Sequence, residues 1–273
     1  MPIRTEFARV SRLRKSTPAR PLAGAAALAA CVLGLAFGQI ARAGEGESFP
    51  AAGNDIHNTA SLQRGARNFI NYCSGCHSAQ YVRYNRIGAD LGIPEQELRS
   101  LIFNPDTKSS ETIKASMSAD DAKRWFGNAP PDLSLIARSR GTDYIAAFLK
   151  SFYLDPTRPT GVNNRVLAGT AMPHVLASLQ GVQTAEYKTV SVKMGDGSMH
   201  DEKEIEKLVV TTPGSMTPAQ YDEFVRDTVN FLAYIGEPGA VKRQSLGVWV
   251  VLFLLLFTAF AYGMKKEYWK DVK

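Results

Sequence analysis

The chain has 273 residues, 45% of them hydrophobic and 21% charged, with a formal net charge of +6. That charge is uneven: residues 1–43 hold seven basic residues and one acidic, whereas 44–273 hold 25 of each. The excess lies in the leader rather than the body, so a nucleic-acid-binding protein is excluded, and three cysteines are too few for a disulfide-framed fold.

In chain order, a basic stretch to Arg20 precedes an Ala- and Leu-rich run from Pro21 to Phe37. Ala41-Arg42-Ala43 then fits the small-x-small cleavage pattern, so residues 1–43 are predicted to be a cleaved signal peptide. Removal would take Cys31 away and leave an exported protein whose only cysteines are Cys73 and Cys76. Residues 44–60 read as an irregular lead-in. From Ser61 the residues Leu62, Ala66, Phe69 and Ile70 share one helical face. Gly65 lies inside that helix, where it costs propensity; a second helix crossing closely would account for it.

This helix delivers Cys73-Ser74-Gly75-Cys76-His77, the spacing of a c-type haem attachment site. Two thiols must reach two vinyl groups a fixed distance apart, and the following imidazole then falls under the iron. A thiol–disulfide couple could use the same Cys-x-x-Cys pair. Half of a zinc site could too, but zinc needs two further ligands from a second cluster. The motif occurs once, which predicts one haem.

Downstream, Pro94 to Phe103 reads as a helix and Asn104–Met117 as a surface loop. Ser118 with Asp121 is placed to cap a helix to Phe126, which Gly127–Pro131 breaks. Helices are expected over Asp132–Ser139 and Tyr144–Phe152, followed by a long loop from Asp155 to Met172. Alternation over Tyr187–Met194, the tip Gly195-Asp196-Gly197 and then Glu204–Thr211 predict a β-hairpin. Thr217, Pro218 and Gln220 open a last helix of this portion, with Tyr221, Phe224, Val225, Thr228, Leu232 and Ile235 on its apolar face; Gly236 and Pro238 close it. Residues 44–241 carry a net −4, part of it in the run Asp201–Glu206. That run is either an ordinary solvated surface or a face that steers a basic partner.

Leu246 to Met264 is a 19-residue stretch without a charge. At 1.5 Å per residue it spans about 28 Å, close to the hydrocarbon thickness of a bilayer. Four lysines follow it against Lys242 and Arg243 before it, which predicts a cytoplasmic tail, 265–273, and a single anchor in the bacterial inner membrane. The haem domain, 44–241, would then be periplasmic.

A second axial ligand is expected. Met172, within Gly169-Thr170-Ala171-Met172-Pro173, ends the long loop among small residues. A thioether there raises the reduction potential. His174 is the competitor and would give bis-histidine ligation; an open sixth position comes third. His57 and His200 lie in polar stretches and read as surface histidines.

The ordered set of motifs resembles the cytochrome c1 family, the c-haem subunits of bc1 complexes. The matching pieces are Arg64-Gly65 with Phe69 before Cys73–Ser78, Ala129-Pro130-Pro131-Asp132-Leu133-Ser134, and Arg138-Ser139-Arg140 with Asp143-Tyr144. Ala171-Met172-Pro173 and the helix Tyr221–Gly236 running into a lone C-terminal anchor complete it. The resemblance implies a mainly α, cytochrome c-like domain with insertions, the hairpin among them, and one transmembrane helix. It also implies Cys73 and Cys76 as thioether links, His77 and Met172 as axial ligands, Pro131 at the haem, and Arg140 with Tyr144 at a propionate. Function would be electron transfer from a Rieske iron–sulfur protein to a cytochrome c, beside cytochrome b, with no substrate-transforming site on this subunit. A tethered cytochrome c serving a terminal oxidase or dehydrogenase has the same chemistry and another partner.

Overall fold

The structure, a computed structural model, describes residues 48–102, 104–193, 195 and 199–272. The predicted leader with Cys31 and its cleavage site, Phe103, Met194 and the hairpin tip Asp196-Gly197 lie outside the described residues. In chain order the first elements are α1 (Thr59–Tyr72), β1 (Ala79–Arg83), α2 (Tyr84–Leu91), α3 (Glu95–Ser100), β2 (Thr112–Ile113) and α4 (Ala119–Phe126). Then come α5 (Ile136–Arg140), α6 (Thr142–Lys150), β3 (Phe152–Leu154), β4 (Val162–Asn164) and α7 (Ala177–Gln180). The chain closes with β5 (Gly181–Lys193), β6 (Met199–Pro213), α8 (Pro218–Gly236) and α9 (Ala240–Tyr268). Among the described residues it is a mainly α-helical architecture with three separate two-stranded antiparallel pairs, β1–β2, β3–β4 and β5–β6.

The core is built on the crossing of α1 and α8. Asn58 caps α1 by accepting from the Ser61 backbone N–H at 3.1 Å. The reciprocal Thr217/Gln220 capping box starts α8, with Pro218 at its first turn. Leu62, Ala66, Phe69 and Ile70 on α1 meet Phe224, Val225, Phe231 and Leu232 on α8, all buried. Gly65 sits at the point of closest approach. A methyl there would collide with the Asp227 carbonyl and come within 2.7 Å of Phe231 Cβ. Asp227, 2% exposed, completes the crossing: it accepts from Ser61 Oγ at 2.6 Å and from Arg64 Nε at 2.6 Å. Asn230 extends the network by donating to Ser61 Oγ at 2.9 Å. A buried carboxylate is tolerated here because its oxygens are paired and hydrogen-bonded.

Several elements differ from the sequence-based expectations. The second helix is confined to Glu95–Ser100, with Pro94 as its N-cap rather than its first residue. Asp132 does not open a helix. Its carboxylate is taken by the Gln80 and Ser134 backbone N–H groups, so helix begins only at Ile136. The long loop contains β4, paired with β3 through Phe152↔Asn164 and Leu154↔Val162. The hairpin is longer than its alternation suggests and runs from Gly181 to Pro213. Its base is tied down by Gln183, whose amide donates to the Lys150 and Phe152 carbonyls at 2.9 Å each. The acidic run lies on β6, where Glu204 pairs with Lys188 across the ladder at 3.2 Å.

Helix α9 has 29 residues, and its most apolar stretch is exposed along its whole length. At 1.5 Å per residue it is about 44 Å long, enough to cross the hydrocarbon and both headgroup layers. It fits a single-pass inner-membrane anchor carrying a larger extracytoplasmic portion. It begins at Ala240, six residues before the charge-free stretch Leu246–Met264.

Gly65→Ala is expected to destabilise the domain by about 3 kcal/mol, because the obstruction is backbone and cannot swing aside. For a domain of this size the thermal midpoint falls by roughly 6–12 °C. Thermal unfolding of the detergent-solubilised chain measures it, and an unchanged midpoint would show that the helices can separate without cost.

Candidate functional site

The end of α1 opens onto a cavity of about 390 Å³. Its walls come from five parts of the chain: residues 72–77, 126–140, α6, 167–176 and α8. The lining is apolar, with Leu133, Ile136, Ile145, Phe148, Leu149 and Leu232 prominent. Arg140 is the one Lys, Arg, Asp or Glu among the described lining residues.

All seven residues expected at the site, Cys73, Cys76, His77, Pro131, Arg140, Tyr144 and Met172, line this one cavity. The pentapeptide is wound into a compact turn: Cys73 N–H closes α1 on Phe69 O at 2.9 Å, and the Cys76 and His77 N–H groups both return to Cys73 O, at 3.0 and 2.8 Å. Ser74 is buried and its hydroxyl donates to Ile70 O at 2.8 Å. His77 Nδ1 lies 2.8 Å from the Pro131 carbonyl. A carbonyl only accepts, so Nδ1 carries the proton and Nε2 keeps its lone pair, the tautomer an imidazole needs to bind a metal. Burial pushes the His77 pKa below its ordinary value, against the Pro131 bond and the Asp132 charge.

The Pro131 carbonyl is itself held in place. Asp132 accepts from Gln80 N–H at 2.9 Å and Ser134 N–H at 2.8 Å, Leu133 N–H donates to Ser78 O at 2.8 Å, and Tyr81 N–H reaches Ser134 Oγ at 3.1 Å. The segment Pro130–Ser134 is thus laced to the chain just past His77. Behind another wall Asn164, fully buried, plays a similar part. Its Oδ1 accepts from the Val166 and Leu167 N–H groups at 2.9 and 3.2 Å, and its Nδ2 donates to Phe148 O at 2.8 Å. Sequence reasoning missed Asn164, since a side chain that organises backbone leaves no periodic trace.

Arg140 is exposed at the cavity wall, its guanidinium carbon 5.6 Å from the centre of the Tyr144 ring. Arg138, also exposed, lies against Gly236 and not in the cavity lining. His174 is absent from the lining as well: its ring stacks on Phe152 with centroids 4.9 Å apart. His57 and His200 are exposed, His57 Nε2 lying 3.0 Å from Gln244 Oε1.

The donor set fits a c-type haem: two thiols and a neutral imidazole at one end, a thioether from a separate segment, apolar walls for a porphyrin and a guanidinium for a carboxylate. It fits the rival chemistries poorly. Burial, and then the neighbouring Cys76, push the Cys73 thiol up to about 12, whereas thiol–disulfide catalysts need a depressed pKa. Among the described residues no group of three or more His, Cys, Asp or Glu is placed to hold a metal such as zinc.

The cytochrome c1 family profile matches residues 52–272. A cytochrome c1 of Allochromatium vinosum is 47% identical over 229 residues, covering 84% of this chain and 91% of that protein. A Nitrosomonas europaea protein named ammonia monooxygenase gamma subunit is 42% identical over 78% of this chain and 83% of its own length. A cytochrome c1 of Rhodospirillum rubrum is 30% identical over 78% of this chain and 82% of its own length. The spacing of Cys73 and Cys76 is consistent with a haem c attachment motif, and with that match over nearly all of the described residues, the chain belongs to the cytochrome c1 family.

Proposed function

We propose that this chain holds one covalent haem c through Cys73 and Cys76, with His77 and Met172 on the iron and Arg140 and Tyr144 beside a propionate. Family membership and the membrane helix support a membrane-anchored electron-transfer role in a bc1-type complex. The observation that carries the site assignment is the convergence of Cys73, Cys76, His77 and Met172 on one apolar cavity. When bound, the haem supplies a one-electron ferric/ferrous couple.

The chain's residues do the rest. His77, oriented by Pro131 O, offers Nε2 to the iron. Met172 would hold the iron through its soft thioether, a ligand that favours the reduced state and raises the potential. Phe148, Leu149 and Leu232 line the cavity with apolar surface that would exclude water from a bound haem. Arg140 offers a charge-assisted, potentially bidentate partner for a propionate. His174 is the weaker candidate for sixth ligand because its ring is engaged with Phe152. In this reading the electron arrives from a Rieske iron–sulfur protein and leaves to a cytochrome c, with cytochrome b as the membrane neighbour of α9. Residues 1–43 act as a cleaved leader, and 265–273 lie in the cytoplasm.

Met172→Leu is expected to abolish the long-wavelength sulfur–iron charge-transfer band and lower the potential, while His174→Leu leaves the band intact; the reverse pattern would transfer the ligand role to His174. The haem should stay with the polypeptide in acidified organic solvent, and a pyridine haemochrome spectrum should report two thioether links. Solubilised membranes should yield this chain with cytochrome b and an iron–sulfur protein. Recovery instead with copper-haem oxidase subunits, or with monooxygenase subunits such as the name of the Nitrosomonas relative denotes, would overturn the partner assignment.

A further inference from the structure

We infer that Arg158 and Asn163 form a clamp on Gly169 that positions Met172 for the iron. The inference rests on the reading of Met172 as the axial ligand. Three residues before Met172, the Gly169 peptide groups are gripped from both sides: the carbonyl accepts from Arg158 Nη2 at 2.7 Å, and the N–H donates to Asn163 Oδ1 at 2.8 Å. Gly169 itself has φ +78°, a left-handed conformation that fixes the direction in which the chain leaves the clamp.

The jaws are themselves braced. Asn163 Nδ2 donates to Asp155 Oδ2 at 2.9 Å, which orients the amide so that Oδ1 faces Gly169. Asp155 also accepts from Thr157 N–H at 3.1 Å and Thr157 Oγ at 2.6 Å. The turn joining β3 to β4 is closed by Asp155 N–H to Gly161 O at 3.0 Å and Arg158 N–H to Asp155 O at 3.0 Å. Both jaws therefore stand on one short hairpin, and Asn164 at its end ties the strand to Phe148 on α6. The geometry is a lever from a rigid element to a ligand-bearing segment with little regular structure of its own. Arg158 keeps a buried Nε without a partner among the described residues. An orphaned buried donor costs free energy, which the bond from Nη2 to Gly169 O helps to offset. Neither Arg158 nor Asn163 lines the cavity, so both act through Gly169 rather than on the haem.

A thioether–iron bond is weak enough to open, and the segment's anchorage sets how often it does. Exogenous imidazole competes for the open position, so its apparent affinity reports the fraction of chains with Met172 off the iron. In the detergent-solubilised holoprotein, Arg158→Met and Asn163→Ala are expected to tighten ferric imidazole binding about tenfold each. Covalent haem content and the global thermal midpoint should stay near those of the parent. Arg158→Lys, which keeps the charge but not the planar fork, should fall between, and it decides the matter if Arg158→Met fails to accumulate.

In a Met172→Leu background the clamp substitutions should no longer alter imidazole affinity, since there is no thioether left to hold. Affinities within twofold of the parent would overturn the clamp, as would tightening that merely tracks lost global stability. The two readings separate cleanly. If Met172→Leu leaves the charge-transfer band in place, the ligand assignment fails and the clamp with it. If the band is lost but the clamp variants bind imidazole like the parent, only the clamp fails.

Discussion

The close approach of α1 and α8 is the constraint from which the rest follows. Gly65 permits it sterically, since any side chain would strike the Asp227 carbonyl. Asp227, Ser61, Arg64 and Asn230 then lock its register through paired hydrogen bonds. Because α1 ends one residue before Cys73, the register of this crossing decides where the pentapeptide emerges. Phe224, Thr228 and Leu232 on α8 form part of the wall that faces it. Moving the crossing by one residue would rotate both the cysteines and that wall, so site and core are specified together.

Around that fixed corner the cavity is assembled by side chains that bond to backbone. Asp132 and Ser134 hold the Pro131 carbonyl at His77 Nδ1, and Asn164 holds the start of the segment leading to Met172. Such bonds contribute about 1 kcal/mol each, little next to the apolar burial. Their value is directional. Apolar contacts tell a loop to stay on the surface of a cavity without saying which peptide group should face which way. The polar contacts supply that information at the positions where an imidazole tautomer or a thioether's location matters.

Where a local physical signal exists, the sequence was informative. The caps at Ser118 and Thr217 mark helix starts that the structure has at Ala119 and Pro218. The spacing in Cys73–His77 and the small residues before Met172 point to residues that do meet in one cavity. The strands β1 to β4 were invisible because two to five residues are too few to display a period. The length of the β5–β6 hairpin was underestimated for another reason. Much of the ribbon is exposed, with Tyr187 53% and Val210 46% accessible, so burial does not impose a clean alternation. Asp132 looked like the start of a helix, yet its carboxylate serves the backbone of Gln80, 52 positions away. Long-range service of this kind cannot be read from neighbours in sequence.

The link between α8 and α9 is only Glu237, Pro238 and Gly239. Fully extended, three residues reach about 10 Å, and Pro238 together with the Glu237–Arg243 ion pair at 2.7 Å shortens the usable slack further. On so short a leash the globular part keeps a nearly constant height above the lipid and cannot travel between a source and a sink of electrons. It is a fixed station beside its own anchor.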